Sequence, residues 1–211
     1  MTITLPTEGT ALFIGDSITD CRHLEPDAAP LGVGFVRDIA AELADRAPGI
    51  AVLNTGISGN RVPDLEHRWN VDCLALRPAV LTILIGINDT WRRYDNDDPT
   101  SVDAFEAGYR RLLVRVRDVL GCPVVLMEPF LIPLSAGQRR WREDLDPKID
   151  AVRRLAGEFS AVLLPTDRIM AGAAERLGAA AVAYDGVHPT PVGHRVLADT
   201  WLEQASTVGG Q

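Results

Sequence analysis

The sequence predicts an α/β fold: a three-layer α/β/α sandwich around a five-stranded parallel sheet in the doubly wound order 2-1-3-4-5. Three observations carry this. Short apolar runs and amphipathic helical stretches alternate five times along the 211 residues, the pattern left by successive right-handed β–α–β units. One run, residues 79–85 (AVLTILI), is apolar almost throughout, as a strand buried on both faces must be. The first run ends abruptly in Gly15-Asp16-Ser17, and open sheets of this kind bind ligands at the carboxyl ends of their strands.

In chain order, residues 11–14 form the first strand, and Gly15 permits a sharp exit because it has no Cβ to clash. A polar, proline-containing loop over 21–32 is long enough to serve as a lid or a contact surface. Phe35, Val36, Ile39, Ala40 and Leu43 recur at helical spacing, and Pro48-Gly49 stops that helix. Residues 50–54 make the second strand, and 55–60 a loop with two glycines. A helix then runs from about residue 62 to before Pro78, ahead of the 79–85 strand. A charged loop is predicted over 92–99, followed by a helix capped by Thr100 or Ser101. Its inner stripe is Phe105, Tyr109, Leu112, Leu113 and Val116. Residues 123–127 form the fourth strand and 128–142 a long loop. Pro147 is predicted as the first residue of a helix reaching about residue 159. The fifth strand is 161–164, a helix over 166–177 stops at Gly178, and a last helix runs from Pro191 to about residue 205. There is no internal repeat, low-complexity block or interior linker, so 1–211 is read as one domain.

Composition narrows the function classes. The formal net charge of -8 argues against a nucleic-acid surface and is repulsive to anionic membranes. No segment is long enough to span a bilayer, and the N-terminus lacks the basic and apolar regions of a signal peptide. A cytoplasmic protein is expected. Cys21, Cys73 and Cys122 are odd in number and widely spaced, which gives neither a disulfide framework nor a zinc pattern. No metal and no cofactor are expected.

At the end of a central strand, Ser17 can be a nucleophile or merely the N-cap of the next segment. A nucleophile needs a base, and the chain has four histidines: His23, His67, His188 and His194. His23 and His67 have no obvious orienting carboxylate, and His194 sits inside the last helix, where it caps or packs. Asp185 lies three residues before His188, and a tight turn through Gly186 brings its carboxylate to one imidazole nitrogen, leaving the other for Ser17. The competing reading is an ordinary Asp-Gly turn beside a surface histidine. Acyl transfer also needs oxyanion donors, which the backbone N–H groups of Ser17 and Gly59 and the side-chain amide of Asn88 would supply. A turn glycine and a helix-capping asparagine are the alternatives.

Gly15-Asp16-Ser17-Ile18-Thr19, Gly56-Ile57-Ser58-Gly59-Asn60, Gly86-Ile87-Asn88-Asp89 and Asp185-Gly186-Val187-His188-Pro189 resemble, in order, the four sequence blocks of the SGNH (GDSL-type) hydrolases. The resemblance spans nearly the whole chain and departs from the family's name only at Ile18, where leucine is common. It implies the SGNH hydrolase fold, with Ser17 as nucleophile, His188 as base and Asp185 as its partner. It assigns the Ser17 amide, Gly59 and Asn88 to the oxyanion hole. The longer stretches 15–21 and 85–92 look like the subgroup containing intracellular acetylxylan esterases, which implies acetylated xylo-oligosaccharides as substrates and a homo-oligomer. There is no G-x-S-x-G elbow of the ordinary α/β-hydrolases.

Trp91 and Arg92 follow the Asn88 loop and should rim the site, the indole stacking on a sugar face and the guanidinium donating to hydroxyls. Asp16, Arg61 and Tyr184 complete the expected substrate-binding set. The leading function is a serine esterase of short acyl esters, acting on a small-molecule or oligosaccharide ester. The alternatives are a lipid-type esterase or thioesterase for medium-chain acyl groups and a non-catalytic carbohydrate-binding module on the same fold.

Overall fold

The computed structural model describes residues 2–207. Strands β1 (Ile3–Leu5), β2 (Gly9–Gly15), β3 (Ile50–Asn54), β4 (Val80–Leu84), β5 (Val124–Met127), β6 (Val162–Leu164) and β7 (Ala205–Thr207) divide into two sheets. Five of them form a parallel sheet in the order β3-β2-β4-β5-β6. Counting only these five, the order is the predicted 2-1-3-4-5. The register places Leu12 beside Leu81 and Ile14 beside Ile83. All five residues of β4 are buried, as its apolar sequence requires.

The helices are α1 (Ser17–Asp20), α2 (Phe35–Arg46), α3 (Val62–Asp72), α4 (Ile87–Asp95), α5 (Val102–Val119), α6 (Ala136–Arg140), α7 (Arg142–Glu158), α8 (Thr166–Leu177), α9 (Ala179–Val182) and α10 (Pro191–Gln204). Because successive side chains of a strand point to opposite faces, the core divides in two. Phe13, Val80, Val125 and Met127 pack under α2, α8 and α10 through Phe35, Ile39, Met170, Leu197 and Trp201. Leu12, Ile14, Leu81, Ile83 and Leu126 pack under α3, α5 and α7 through Trp69, Phe105, Tyr109, Leu112 and Val152. Trp201 fixes the last helix to the sheet: its ring lies 5.5 Å from that of Phe13, and its indole N–H donates to Thr82 Oγ1 at 3.0 Å.

The structure departs from the predicted elements in several places; the predicted loops over 128–142 and after Gly178 hold the short helices α6 and α9. The 92–99 segment is helical as far as Asp95, because Arg92 pairs with Asp95 one turn on and Tyr94 stacks on Trp141. Pro147 lies in the second turn of α7 rather than at its start. That helix begins at Arg142, where α6 continues into it through Trp141 and where Glu143 and Asp144 supply first-turn acids. The terminal strands β1 and β7 pair in parallel with each other. Three-residue strands carry too little alternation to read from the sequence. Cys21, Cys73 and Cys122 are all free thiols. Among the described residues no helix is long and apolar enough to cross a membrane.

All of the site's geometry starts from the exit of β2. At Gly15 a Cβ would stand 2.1 Å from the carbonyl oxygen of Leu84 and 2.6 Å from Thr19 Oγ1. The neighbouring strand and the following turn therefore close on a backbone without a side chain. Gly15→Ala is expected to destabilise the protein by roughly 3 kcal/mol through this overpacking, read as a lowered midpoint in urea unfolding. A midpoint within error of wild type would show that the turn has slack.

Candidate active site

The turn after β2 places Ser17 as the first residue of α1, with Asp16 as its N-cap. The Ile18 N–H donates to Asp16 Oδ1 at 3.0 Å. The turn is gripped from the side by Arg68 of α3. Its guanidinium donates to the carbonyls of Gly15 (3.0 Å) and Thr55 (2.6 Å) and to Asn60 Oδ1 (2.7 Å). One side chain thus ties the serine turn to the glycine loop.

From the other end of the chain, the loop between α9 and α10 brings in Asp185 and His188. Asp185 Oδ1 accepts the backbone N–H groups of Val187 (2.9 Å) and His188 (2.8 Å), which builds the turn. Asp185 Oδ2 stands 2.7 Å from His188 Nδ1. Partial burial opposes ionisation of Asp185. The hydrogen bonds from the His188 backbone and ring and from Val187 outweigh it and hold the carboxyl below the usual range. A carboxylate only accepts, so His188 Nδ1 carries the proton and Nε2 presents a lone pair. Ser17 Oγ lies 3.0 Å from that Nε2 and donates to it.

The remaining histidines are placed differently. His194 is buried against Phe35, with ring centroids 6.3 Å apart, and its Nδ1 accepts the Phe35 N–H at 3.2 Å. Nε2 then carries the proton, facing Cys21 Sγ at 3.3 Å. Burial pushes His194 down to about 4, so it stays a neutral packing group. His67 is exposed. His23, for which no orienting carboxylate is evident in the sequence, does have one: Asp20 Oδ1 at 2.8 Å.

Three donors stand on the loops that leave β2, β3 and β4. Ser17 offers its backbone N–H. Gly59 is exposed with φ +83°, and nothing lies within 4 Å of the position a Cβ would take. Asn88, in the first turn of α4, is buried, and one amide hydrogen is spent on the carbonyl of Asn60 at 3.1 Å. Its second N–H remains for a ligand. A nucleophile, an oriented base and donors of this kind suit attack on an ester carbonyl and stabilisation of the resulting oxyanion.

The expected substrate-binding residues are scattered. Trp91 is half-buried with its ring 5.8 Å from that of His188, and the Arg92 guanidinium lies over the Trp91 ring at 5.5 Å. Tyr184 is 66% exposed. Arg61 is held in an ion pair with Asp98 at 2.9 Å. Asp16 does not face the cleft: it is 1% exposed, its carboxyl turned inward to cap α1, so it is removed from the substrate-binding set.

Residues not foreseen complete the rim. Trp141 packs between Trp91 and Tyr94, with centroids at 5.5 and 5.4 Å. Gln138 of α6 donates from Nε2 to the carbonyl of Asp185 at 2.5 Å and accepts the Leu134 N–H at 2.9 Å. The Ile132 N–H donates to the Gly186 carbonyl at 2.8 Å. Gly186 has φ +90°, and a Cβ there would meet the Ile132 carbonyl at 2.7 Å. Both Trp141 and Gln138 lie in a stretch that reads as loop; the Ser135 cap and the run of helix formers after it were the available signal.

Known proteins resemble the chain along most of its length. The model of the GDSL-like lipase/acylhydrolase family matches residues 13–196. An acetylxylan esterase of Geobacillus stearothermophilus is 36% identical over 203 residues, covering 92% of each chain. A putative GDSL-like lipase from Parabacteroides merdae superposes with a TM-score of 0.90 at 33% identity, over 97% of this chain and 98% of that one. A catalytic mutant of the Geobacillus stearothermophilus acetylxylan esterase gives 0.86 at 35% identity, over 95% of both.

Gln138→Glu keeps the acceptor for Leu134 but loses the N–H given to Asp185. Ester turnover is expected to fall about fivefold at neutral pH, the worth of one hydrogen bond. The ratio of variant to wild-type kcat should recover towards pH 5, as the introduced carboxyl regains a proton to donate. A ratio independent of pH would show that the amide's N–H does not hold the turn.

Proposed function

The chain belongs to the GDSL-like lipase/acylhydrolase family and is a carboxylic ester hydrolase; from that premise we propose a serine esterase that removes short acyl groups, acetyl above all, from acetylated sugars such as xylo-oligosaccharides. The observation that carries the mechanism is the continuous relay from Ser17 Oγ through His188 to Asp185, at 3.0 and 2.7 Å.

Ser17 Oγ attacks the ester carbonyl carbon while its proton passes to His188 Nε2. Asp185 stabilises the imidazolium and keeps the ring in place. The negative charge that develops on the carbonyl oxygen is received by the N–H groups of Ser17 and Gly59 and the free amide hydrogen of Asn88. Collapse breaks the ester C–O bond, the sugar oxygen takes the proton from His188, and acetyl remains on Ser17. His188 then deprotonates a water, which attacks the acyl carbon. A second collapse releases acetate and returns the proton to Ser17.

The substrate assignment draws on the relative named acetylxylan esterase and on the wall of Trp91, Trp141 and Tyr94 beside His188. Flat aromatic faces beside guanidinium groups suit a sugar ring and its hydroxyls. A homo-oligomer and cytoplasmic residence belong to the same proposal and are tested by sedimentation and by cell fractionation.

Ser17→Ala is expected to lower kcat by about 10³ or more with an unchanged unfolding midpoint. Turnover near wild type would remove Ser17 from the nucleophile's role. Across acetyl, butyryl and octanoyl esters, kcat/KM is expected to be greatest for acetyl, and EDTA to have no effect. Acetate release from acetylated xylo-oligosaccharides is the direct assay. A rise in kcat/KM with chain length would point to a lipid-type esterase instead.

A further inference from the structure

Two aspartates lie beneath the site with half of their hydrogen-bonding capacity unused. Asp16 precedes Ser17, and Asp89 follows Asn88. They are 1% and 0% exposed. Asp16 Oδ1 accepts the Ile18 N–H of α1, and Asp89 Oδ2 accepts the Val62 N–H at 3.3 Å, at the head of α3 directly after the Gly59 loop. Their other oxygens, Asp16 Oδ2 and Asp89 Oδ1, are buried without a hydrogen-bond partner among the described residues. We propose that Asp16 and Asp89 are positioning residues of the oxyanion hole, acting as uncharged carboxylic acids: Asp16 holds the serine turn, and Asp89 ties the Asn88 turn to the head of α3 after the Gly59 loop. This rests on the assignment of Ser17, Gly59 and Asn88 as the oxyanion donors.

The physical case has three parts. First, a buried carboxylate with one oxygen unpaired is costly unless a cation neutralises it. The cation that bears most on Asp89 is Lys148 of α7. It is fully buried but committed to an ion pair with Asp144 and to Thr90 Oγ1 at 3.4 Å, and Asp144 also pairs with Arg93 at 2.9 Å. Second, the surroundings favour the proton. For Asp89, burial dominates, opposed by the Val62 hydrogen bond, Lys148 and Arg61 and reinforced by Asp64. For Asp16, burial dominates, opposed by the Ile18 hydrogen bond and reinforced by the charge of Asp89. Each is pushed up to about 7. Once ionised, Asp89 adds to the penalty on charging Asp16, so the two groups do not titrate independently. Third, the uncharged form suits the chemistry. An acid's carbonyl oxygen still accepts the backbone N–H, while the absence of charge behind Ser17 and Asn88 avoids opposing the oxyanion that forms in front of them.

Ionisation of the pair on the alkaline side should therefore lower kcat more than KM. The pair's contribution to stability has the same sign: the native state binds the extra protons, so the contribution is complete at acid pH and is lost as the pH rises through about 7.

The test compares pH profiles for acetyl ester hydrolysis. Asp89→Asn keeps the acceptor for Val62 and cannot ionise. It is expected to retain about a third of wild-type kcat at pH 6 and to show a shallower alkaline fall in kcat, with Asp16 alone left to ionise. Asp89→Ala removes the acceptor and is expected to lower kcat about tenfold at every pH, with KM changed less than about threefold. Asn88→Ala is the control, with an expected loss in kcat of about 10²–10³. If that control turns over normally, the oxyanion assignment fails and the proposal with it. If the control is impaired but Asp89→Asn keeps the wild-type alkaline limb, the proposal alone is overturned. Should the Asp89 variants not fold, carboxyl ¹³C titration of the wild-type protein decides. Two aspartate signals still protonated at pH 5.5 support the proposal, and all aspartates ionised there overturn it.

Discussion

One hydrogen bond, from Ser17 Oγ to His188 Nε2, joins groups 171 positions apart in the chain, and the architecture around it serves to make that meeting reproducible. Closing so long a loop costs entropy that a single 3.0 Å contact does not offset. Packing elsewhere supplies it. Ser17 is fixed by the exit of β2, where Gly15 leaves no room for movement between Leu84 and Thr19. His188 is fixed by the anchoring of α10, the helix it precedes. Thr190 caps α10 by accepting the Gly193 N–H, and its hydroxyl donates to the Ala181 carbonyl. Farther along α10, His194 receives the Phe35 N–H and Trp201 reaches across to Thr82. The last helix is thus bolted to α2 and to two central strands before the loop ahead of it presents its histidine.

The central sheet was readable because each strand announces itself by apolar continuity and each helix by its stripe. Convergence of strand ends in a doubly wound sheet brings the Ser17, Gly59 and Asn88 loops together, whereas the roles expected of Ser17, Asp185 and His188 came from the resemblance of their sequence blocks to the SGNH hydrolases. The features that escaped the sequence share a physical character: they depend on partners distant in the chain. Arg68 reads as one more charge on an amphipathic helix, yet it holds two site loops through Gly15, Thr55 and Asn60. Pro147 looks like a helix start, but first-turn acids and continuity through Trp141 place the start at Arg142. Asp16 stands beside the serine in sequence, and only its φ/ψ and the α1 amide decide that its carboxyl turns inward. β1 and β7 pair across almost the full chain, and neither segment is long enough to declare a partner.

The placement of polar groups also explains why a second set of the same residue types does not compete. Asp20 is buried, with one oxygen on His23 Nδ1 at 2.8 Å and the other accepting Ser58 Oγ at 2.5 Å and the Ser58 N–H at 3.1 Å. Serine, histidine and aspartate are all present, but the carboxylate stands in the middle. A hydroxyl that donates to a carboxylate is bound to an acceptor too weak to take its proton near neutral pH. The imidazole that could take it is on the far side of the acid. At Ser17 the order is serine, histidine, aspartate, so the strongest available base faces the hydroxyl and the acid faces away from it. The first arrangement braces the loop that carries Gly59; the second can move a proton. The same three residue types divide between structure and chemistry according to which of them occupies the centre.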